Sequence, residues 1–157
     1  MQQSSVKVIV ISISNPILIG IYEEDMLVET ISKEGKTSDV LPALFDEILI
    51  DYDVKEIFYV SGPGSYMAIK IAYIFLKTIS IVNEINLYAL SGFDFNNNSP
   101  IKALGKKYFF REEIDSEEKI VMKFLEDNKI EEFTLPIDIK NIKFTENTLP
   151  EYNLPAV

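Results

Sequence analysis

The chain has 157 residues, 47% of them apolar and 25% charged, with 25 acids against 15 bases and neither histidine nor cysteine; that size fits one main core with at most a small appendage. Lacking those two residue types, it has no disulfide, thiol nucleophile, Ser-His-Asp or Cys-His arrangement, or zinc-hydrolase site. A net charge of -10 argues against wrapping nucleic acid unaided, because phosphate neutralisation needs clustered Lys and Arg.

Met1 to Ser5 is short and polar, and no apolar run approaches the roughly 20 residues that span a bilayer. With no cysteine, this leads to the expectation of a cytoplasmic protein and no membrane partner. Val6 to Ile13 is almost continuously apolar and β-branched, and Ile17 to Tyr22 follows after Ser14-Asn15-Pro16. Glu23-Glu24-Asp25 then turns the chain into a third strand, Met26 to Ser32, completing an antiparallel meander. The first strand is apolar on both faces and reads as central.

Val40, Leu41, Leu44, Phe45, Ile48 and Leu49 recur at helical spacing, so Ser38 to Ile50 is predicted to be a helix, with Thr37 and Ser38 as cap candidates and Pro42 in its first turns. Ile57 to Val60 reads as a short buried strand, Tyr66 to Val82 as a long helix, and Asn86 to Leu90 as another strand. A meander followed by parallel strands with crossover helices predicts an α/β fold with a ribonuclease-H-like core, the type of the actin, hexokinase and Hsp70 ATPases. Residues 1–95 would form this domain and residues 96–157 a reduced second domain or C-terminal α+β extension. Within the latter, Ala103 to Phe110 reads as a strand, Ser116 to Asn128 as a helix with Ile120, Val121, Phe124 and Leu125 inward, and the proline-bearing remainder as extended and laid on the surface.

Ser61-Gly62-Pro63-Gly64-Ser65 joins a strand to a helix, where backbone N–H groups can face a phosphate. It departs from the Walker pattern, since Lys70 is followed by Ile71, and from the dinucleotide pattern, since Met67 stands where a third glycine is needed. The plainer alternative is a tight turn with Ser65 as N-cap. Behind it, Ala68, Ile71, Ala72, Phe75, Ile79 and Val82 share one face suited to a sheet. Met67, Ile74 and Ile81 repeat every seventh residue on a flank, and Tyr66, Lys70, Tyr73 and Lys77 form the outermost stripe. A helix apolar around most of its circumference needs cover on both sides, from its own chain or from another subunit. Tyrosines beside lysines suit an interface with an apolar body and a wet rim. The paired acids, Glu23-Glu24-Asp25, Glu112-Glu113, Glu117-Glu118 and Glu131-Glu132, are sequence neighbours whose side chains diverge, so they read as solvated surface.

From Ser61 to Ala72 the sequence resembles the signature of the TsaB (YeaZ) family, Gly-Pro-Gly-Ser-aromatic-Thr-Gly-Leu-Arg-Ile-Gly, with Met67, Ala68, Lys70 and Ala72 as departures. Lys36 to Pro42 is similar to the family's His-Ser-x-x-Leu-Leu-Pro helix entry, and Val8 to Ser14 to its opening strand. The resemblance implies a scaffold with no catalytic residue, metal or cofactor of its own. It would heterodimerise with TsaD, be joined by the TsaE ATPase, and meet tRNA only indirectly during threonylcarbamoyladenosine formation. It also implies a homodimer when the protein is alone, with the helix bearing Tyr66, Met67, Lys70, Tyr73, Ile74, Lys77 and Ile81 as the partner surface. An ATP-dependent small-molecule kinase or ATPase using the Gly62 to Ser65 loop is the alternative. Against it, Ser12 stands where active relatives of this fold carry a metal-holding aspartate.

Overall fold

A computed structural model describes residues 3–152. Its elements run β1 (Ser4–Ile11), β2 (Ile17–Glu23), β3 (Met26–Lys33), α1 (Thr37–Asp51), β4 (Tyr52–Gly62), α2 (Tyr66–Val82) and β5 (Asn86–Ser91). A short 3-10 turn over Gly92–Phe95 follows, then β6 (Ile101–Lys102), β7 (Lys107–Ile114) and β8 (Glu117–Phe124). The first five strands make one mixed sheet in the order β3-β2-β1-β4-β5, and the last three a separate sheet. In the large sheet β1 pairs antiparallel with β2, as in Ile9↔Gly20, and parallel with β4, as in Val8↔Ile57. β5 continues in parallel, as in Phe58↔Tyr88.

Strand alternation sorts the apolar residues of β1 into two cores. Val6, Val8 and Val10 face the helices with Ile57 and Tyr59 of β4, Val40, Leu41, Phe45 and Ile48 of α1, and Ala72 and Leu76 of α2. Ile9 and Ile11 join Tyr22, Phe58, Val60, Leu90 and Ile139 in the second core. Lacking a helical layer, that face is covered by extended chain: Phe133, Leu135, Ile139 and Ile142 pack on it. Backbone bonds tie the segment across the sheet. Leu27 N donates to Ile137 O at 2.8 Å, Ala89 and Thr145 exchange both bonds at 3.0 Å, and Glu151 N donates to Ser61 O at 2.8 Å. Two buried tyrosines anchor it, Tyr22 from the covered face donating to Pro136 O at 2.7 Å and Tyr59 from the helix side to Thr148 O. The expected surface-laid segment is therefore partly core, because the second face of a sheet with a doubly apolar central strand has to be covered.

The helix expected over Ser116 to Asn128 is a β-hairpin. Asp115 and Ser116 take φ of 52° and 65°, the left-handed pair that a two-residue hairpin turn requires. Glu117–Phe124 then pairs with β7, Phe109 opposite Met122 and Phe110 opposite Val121. Ile120, Val121 and Phe124 fit one helical face, whereas a strand sets Val121 opposite the other two, and the turn together with cross-strand pairing decides for the strand. The strand expected over Ala103 to Phe110 begins instead at Lys107, after a turn at Gly105 with φ of 56°. Phe93, Ile101 and Phe109 form a third cluster, with Ile13 and Phe133 against it, that joins the small sheet to the large one. Helix α1 is capped by Lys36 rather than Thr37 or Ser38, with no side-chain cap bond.

Burial raises the hydroxyl pKa of both Tyr22 and Tyr59 above the usual tyrosine value. A raised folded-state pKa contributes stability that is complete below about pH 10 and is lost as pH climbs toward the raised value, at about 1.4 kcal/mol per pH unit per group. Tyr59→Phe leaves the Thr148 carbonyl without its buried donor, which at pH 7 costs about 1–3 kcal/mol. Urea unfolding at pH 7 and again above pH 10 should show that deficit shrinking, since the phenylalanine variant lacks the Tyr59 ionisation that destabilises the parent at high pH.

Candidate functional site

At the end of β4 the backbone of Gly62 takes φ of +146°, and a Cβ there would overlap the carbonyl oxygen of Glu151. A Cβ on Gly64 would lie 2.7 Å from Cγ2 of Ile13, and one on Gly92, past the end of β5, 2.8 Å from Cδ1 of the same isoleucine. These three glycines are thus explained by close approach of the protein's own chain. Ser61, Gly62, Pro63 and Gly64 are buried, while Ser65 is exposed. Ser65 occupies the N-cap position of α2 and its carbonyl accepts from Ile69 N at 3.0 Å, but its hydroxyl makes no cap bond. Ser12, at the end of β1, is buried, and its hydroxyl has no hydrogen-bond partner among the described residues.

Along α2 the line in deepest contact with the core is Ile69, Ala72, Leu76 and Ser80. The sheet-facing stripe expected from apolar spacing was Ala68, Ile71, Ala72, Phe75, Ile79 and Val82. Of these Ala72 is buried, four are half-buried and Val82 is 73% exposed. The helix is turned by roughly a quarter of its circumference from that expectation. Two contacts account for it. Phe75 meets Phe45 of α1 edge-on at 5.8 Å, so that flank faces the neighbouring helix. Ser80 reaches the buried line because its hydroxyl donates to Lys77 O at 2.8 Å, which removes the polar penalty that hides it from an apolar count. Ile69 and Leu76, absent from the expected stripe, were findable once Ser80 was allowed inward.

The same turn rearranges the outer face. Tyr66 is half-buried and stacks on Tyr152 at 4.2 Å. Tyr73 is half-buried, 6.2 Å from the ring of Tyr59, and Lys77 is also half-buried. The stripe expected to be outermost is therefore a flank, covered in part by residues 148–152. Met67, Ile74 and Ile81 stand outside it at 57%, 53% and 69% exposure, with Lys70 exposed beside them. Helix α2 carries two lysines and no acid, so the apolar line has a positive rim in a chain of net charge -10. Lys70 Nζ sits 5.9 Å from the Tyr66 ring, a long cation–π contact.

Solved structures of similar shape identify the fold that carries this helix. YeaZ from Pseudomonas aeruginosa superposes with a TM-score of 0.59 at 12% identity, over 85% of this chain and 71% of that one. An uncharacterized protein with similarity to peptidase YEAZ from Pseudomonas aeruginosa gives 0.51 at 14% identity, over 87% and 72%. The chain has the YeaZ fold. No protein-family model and no curated protein matches the sequence, so within the YeaZ fold these likenesses are ones of shape. The parts of this YeaZ-like chain that carry the sequence resemblance, β1, the entry to α1 and the β4-α2 junction, meet around Ile13.

Of the acid pairs, Glu131-Glu132 lines the clefts beside Ile13, Ser14, Gly64 and Ser65, while two others are tied within the small sheet. Glu112 binds Lys123 at 2.5 Å, and Glu118 lies 4.0 Å from Arg111, which is held at 2.9 Å by Asp94. Among the described residues no group of acids is placed to hold a metal ion. Gly62→Ala should cost about 2 kcal/mol or more, since it combines a left-handed backbone with an overlap that has to displace Glu151. Gly105→Ala, at φ +56° with nothing within 4 Å of the new Cβ, should cost only about 1 kcal/mol. Thermal unfolding of the two variants side by side measures the difference.

Proposed function

We propose that this chain is a TsaB-type scaffold that binds TsaD through the outer face of α2. In that role it supports transfer of the threonylcarbamoyl group to adenosine next to the anticodon of tRNA, without a catalytic centre or cofactor of its own. Its main support is the uncovered line of Met67, Ile74 and Ile81, with Val82 also exposed at the helix end. Four large apolar side chains on one helix, each more than half exposed, leave apolar area in water that a partner helix would remove, at about 25 cal/mol per Å². Lys70, and Lys77 with Tyr66 and Tyr73 behind it, would form the wetter rim. On this reading TsaE joins the TsaD-bound assembly, tRNA is met only through it, and the protein alone pairs with itself through the same helix.

The strand order β3-β2-β1-β4-β5 with two crossover helices supports a ribonuclease-H-like core for residues 1–95, with residues 96–157 as the reduced counterpart of a second domain. A cytoplasmic location is in keeping with the finding that no helix among the described residues is long and apolar enough to cross a membrane. The kinase reading has little to draw on. Ile13 and Glu151 lie against the glycines that would have to approach phosphate, and Ser12 supplies a hydroxyl where that chemistry calls for a negative charge on the metal.

Light scattering of an equimolar mixture with TsaD should give the mass of a heterodimer at micromolar concentration, and separate elution of the two proteins would overturn the proposal. Ile74→Glu, which buries a charge at the centre of the contact, should weaken that complex at least about tenfold while leaving the thermal midpoint close to the parent's. Titration with Mg-ATP should release no heat in the calorimeter, and saturable binding would favour the kinase instead.

A further inference from the structure

Each outer strand of the large sheet has a local contact with a later segment of the chain. Ile137 and Ile139 bond to Leu27 and Asp25 at the start of β3, and Thr145 bonds to Ala89 of β5. Strand β8 differs. It is the outer strand of the small sheet, and among the described residues no segment pairs along its free side. Its ladder with β7 runs without a bulge from Lys107↔Phe124 to Ile114↔Glu117, so nothing twists the edge out of reach. Ile120 and Val121 are half-buried, and Met122 and Phe124 are 37% and 61% exposed. An unpaired row of backbone groups with apolar side chains around it is a template for another strand.

We propose that β8 pairs antiparallel with the β8 of a second copy of this chain, about a two-fold axis at Ile120, to give a continuous six-stranded sheet. Such an axis stands perpendicular to the sheet and places residues of one face opposite residues of the same face. Centred on Ile120, it sets Glu117 against Lys123 of the second copy on both sides of the axis, Ile120 against itself and Lys119 against Val121. Opposite charges facing across strands favour the pair. Moving the axis by one residue sets Lys119 against Lys123 in one direction and against itself in the other, like charges directly opposed. The strand is thus self-complementary in one full-length register and self-repelling in its neighbours, which selects a second copy over an unrelated strand. None of the α2 residues takes part. The pairing therefore goes beyond the scaffold reading and would leave both helix faces of the two-copy unit free.

The test uses the whole chain carrying Ile74→Glu, so that association through α2 is disabled, with mass followed by light scattering against concentration. A concentration-dependent dimer is expected. Glu117→Lys in this background should weaken it at least about tenfold, since both facing pairs become like-charged. Lys123→Glu should do the same, and an equimolar mixture of the two variants should restore dimers, because each chain then supplies the charges the other lacks. Lys123 also binds Glu112 within its own hairpin. Glu117 has no ion pair among the described residues, so Glu117→Lys carries the test should Lys123→Glu unsettle the strand. A monomer at every concentration into the high micromolar range overturns the proposal, as does a dimer indifferent to the charge changes. Either result leaves TsaD binding to be judged by its own experiment, and a β8 dimer that survives when TsaD fails to bind separates the two readings in the other direction.

Discussion

A central strand that is apolar on both faces sets the terms for everything around it. Val6, Val8 and Val10 on one side of β1 and Ile9 and Ile11 on the other are all at most 2% exposed, and each side chain of this kind is worth about 1.5–3 kcal/mol when taken out of water. Two helices cover the first face. Only extended chain is present to cover the second, and it does so with Phe133, Leu135, Ile139 and Ile142. The glycine contacts at Gly62, the tyrosine anchors Tyr22 and Tyr59 and the half-burial of Tyr66 all follow from where that cover runs.

Up to Ser91 the architecture was legible in the residues themselves, because each element there is long and has a single period. Helix α2 begins and ends where its apolar run does, and α1, expected over Ser38 to Ile50, is longer by one residue at each end. Strand β4 is longer than the apolar stretch Ile57 to Val60 because its first half, with exposed Lys55, pairs beside β1 and needs no continuous greasy run. Beyond Ser91 local pattern ceases to decide. Asp115-Ser116 carries the hairpin through backbone conformations that spacing does not reveal, and residues 133–142 carry no period, their burial being dictated by strands more than a hundred positions earlier.

The candidate surface was legible as a helix with too much apolar circumference, but its orientation was not. A sum over apolar residues assigns Ser80 outward and Val82 inward, and the structure has them the other way round. What turns the helix is Phe45 of α1 against Phe75 and the Ser80 hydroxyl satisfied by Lys77 O, and neither shows in an apolar count along α2. Of the two readings of the glycines between β4 and α2, phosphate cradle or tight strand-to-helix turn, the contacts accord with the turn, since the groups beside them are the chain's own backbone and an isoleucine.

The strap across the open face also has a consequence for the order in which the molecule is made. While residues up to β5 are emerging from the ribosome, Ile9, Ile11, Phe58, Val60 and Leu90 have nothing above them, because their cover is encoded downstream. Tyr22 has to wait for Pro136 and Tyr59 for Thr148. Closure across such long sequence separations is slow, so the nascent sheet presents a sticky flank for the time it takes to translate the rest, a window in which chaperone capture competes with completion.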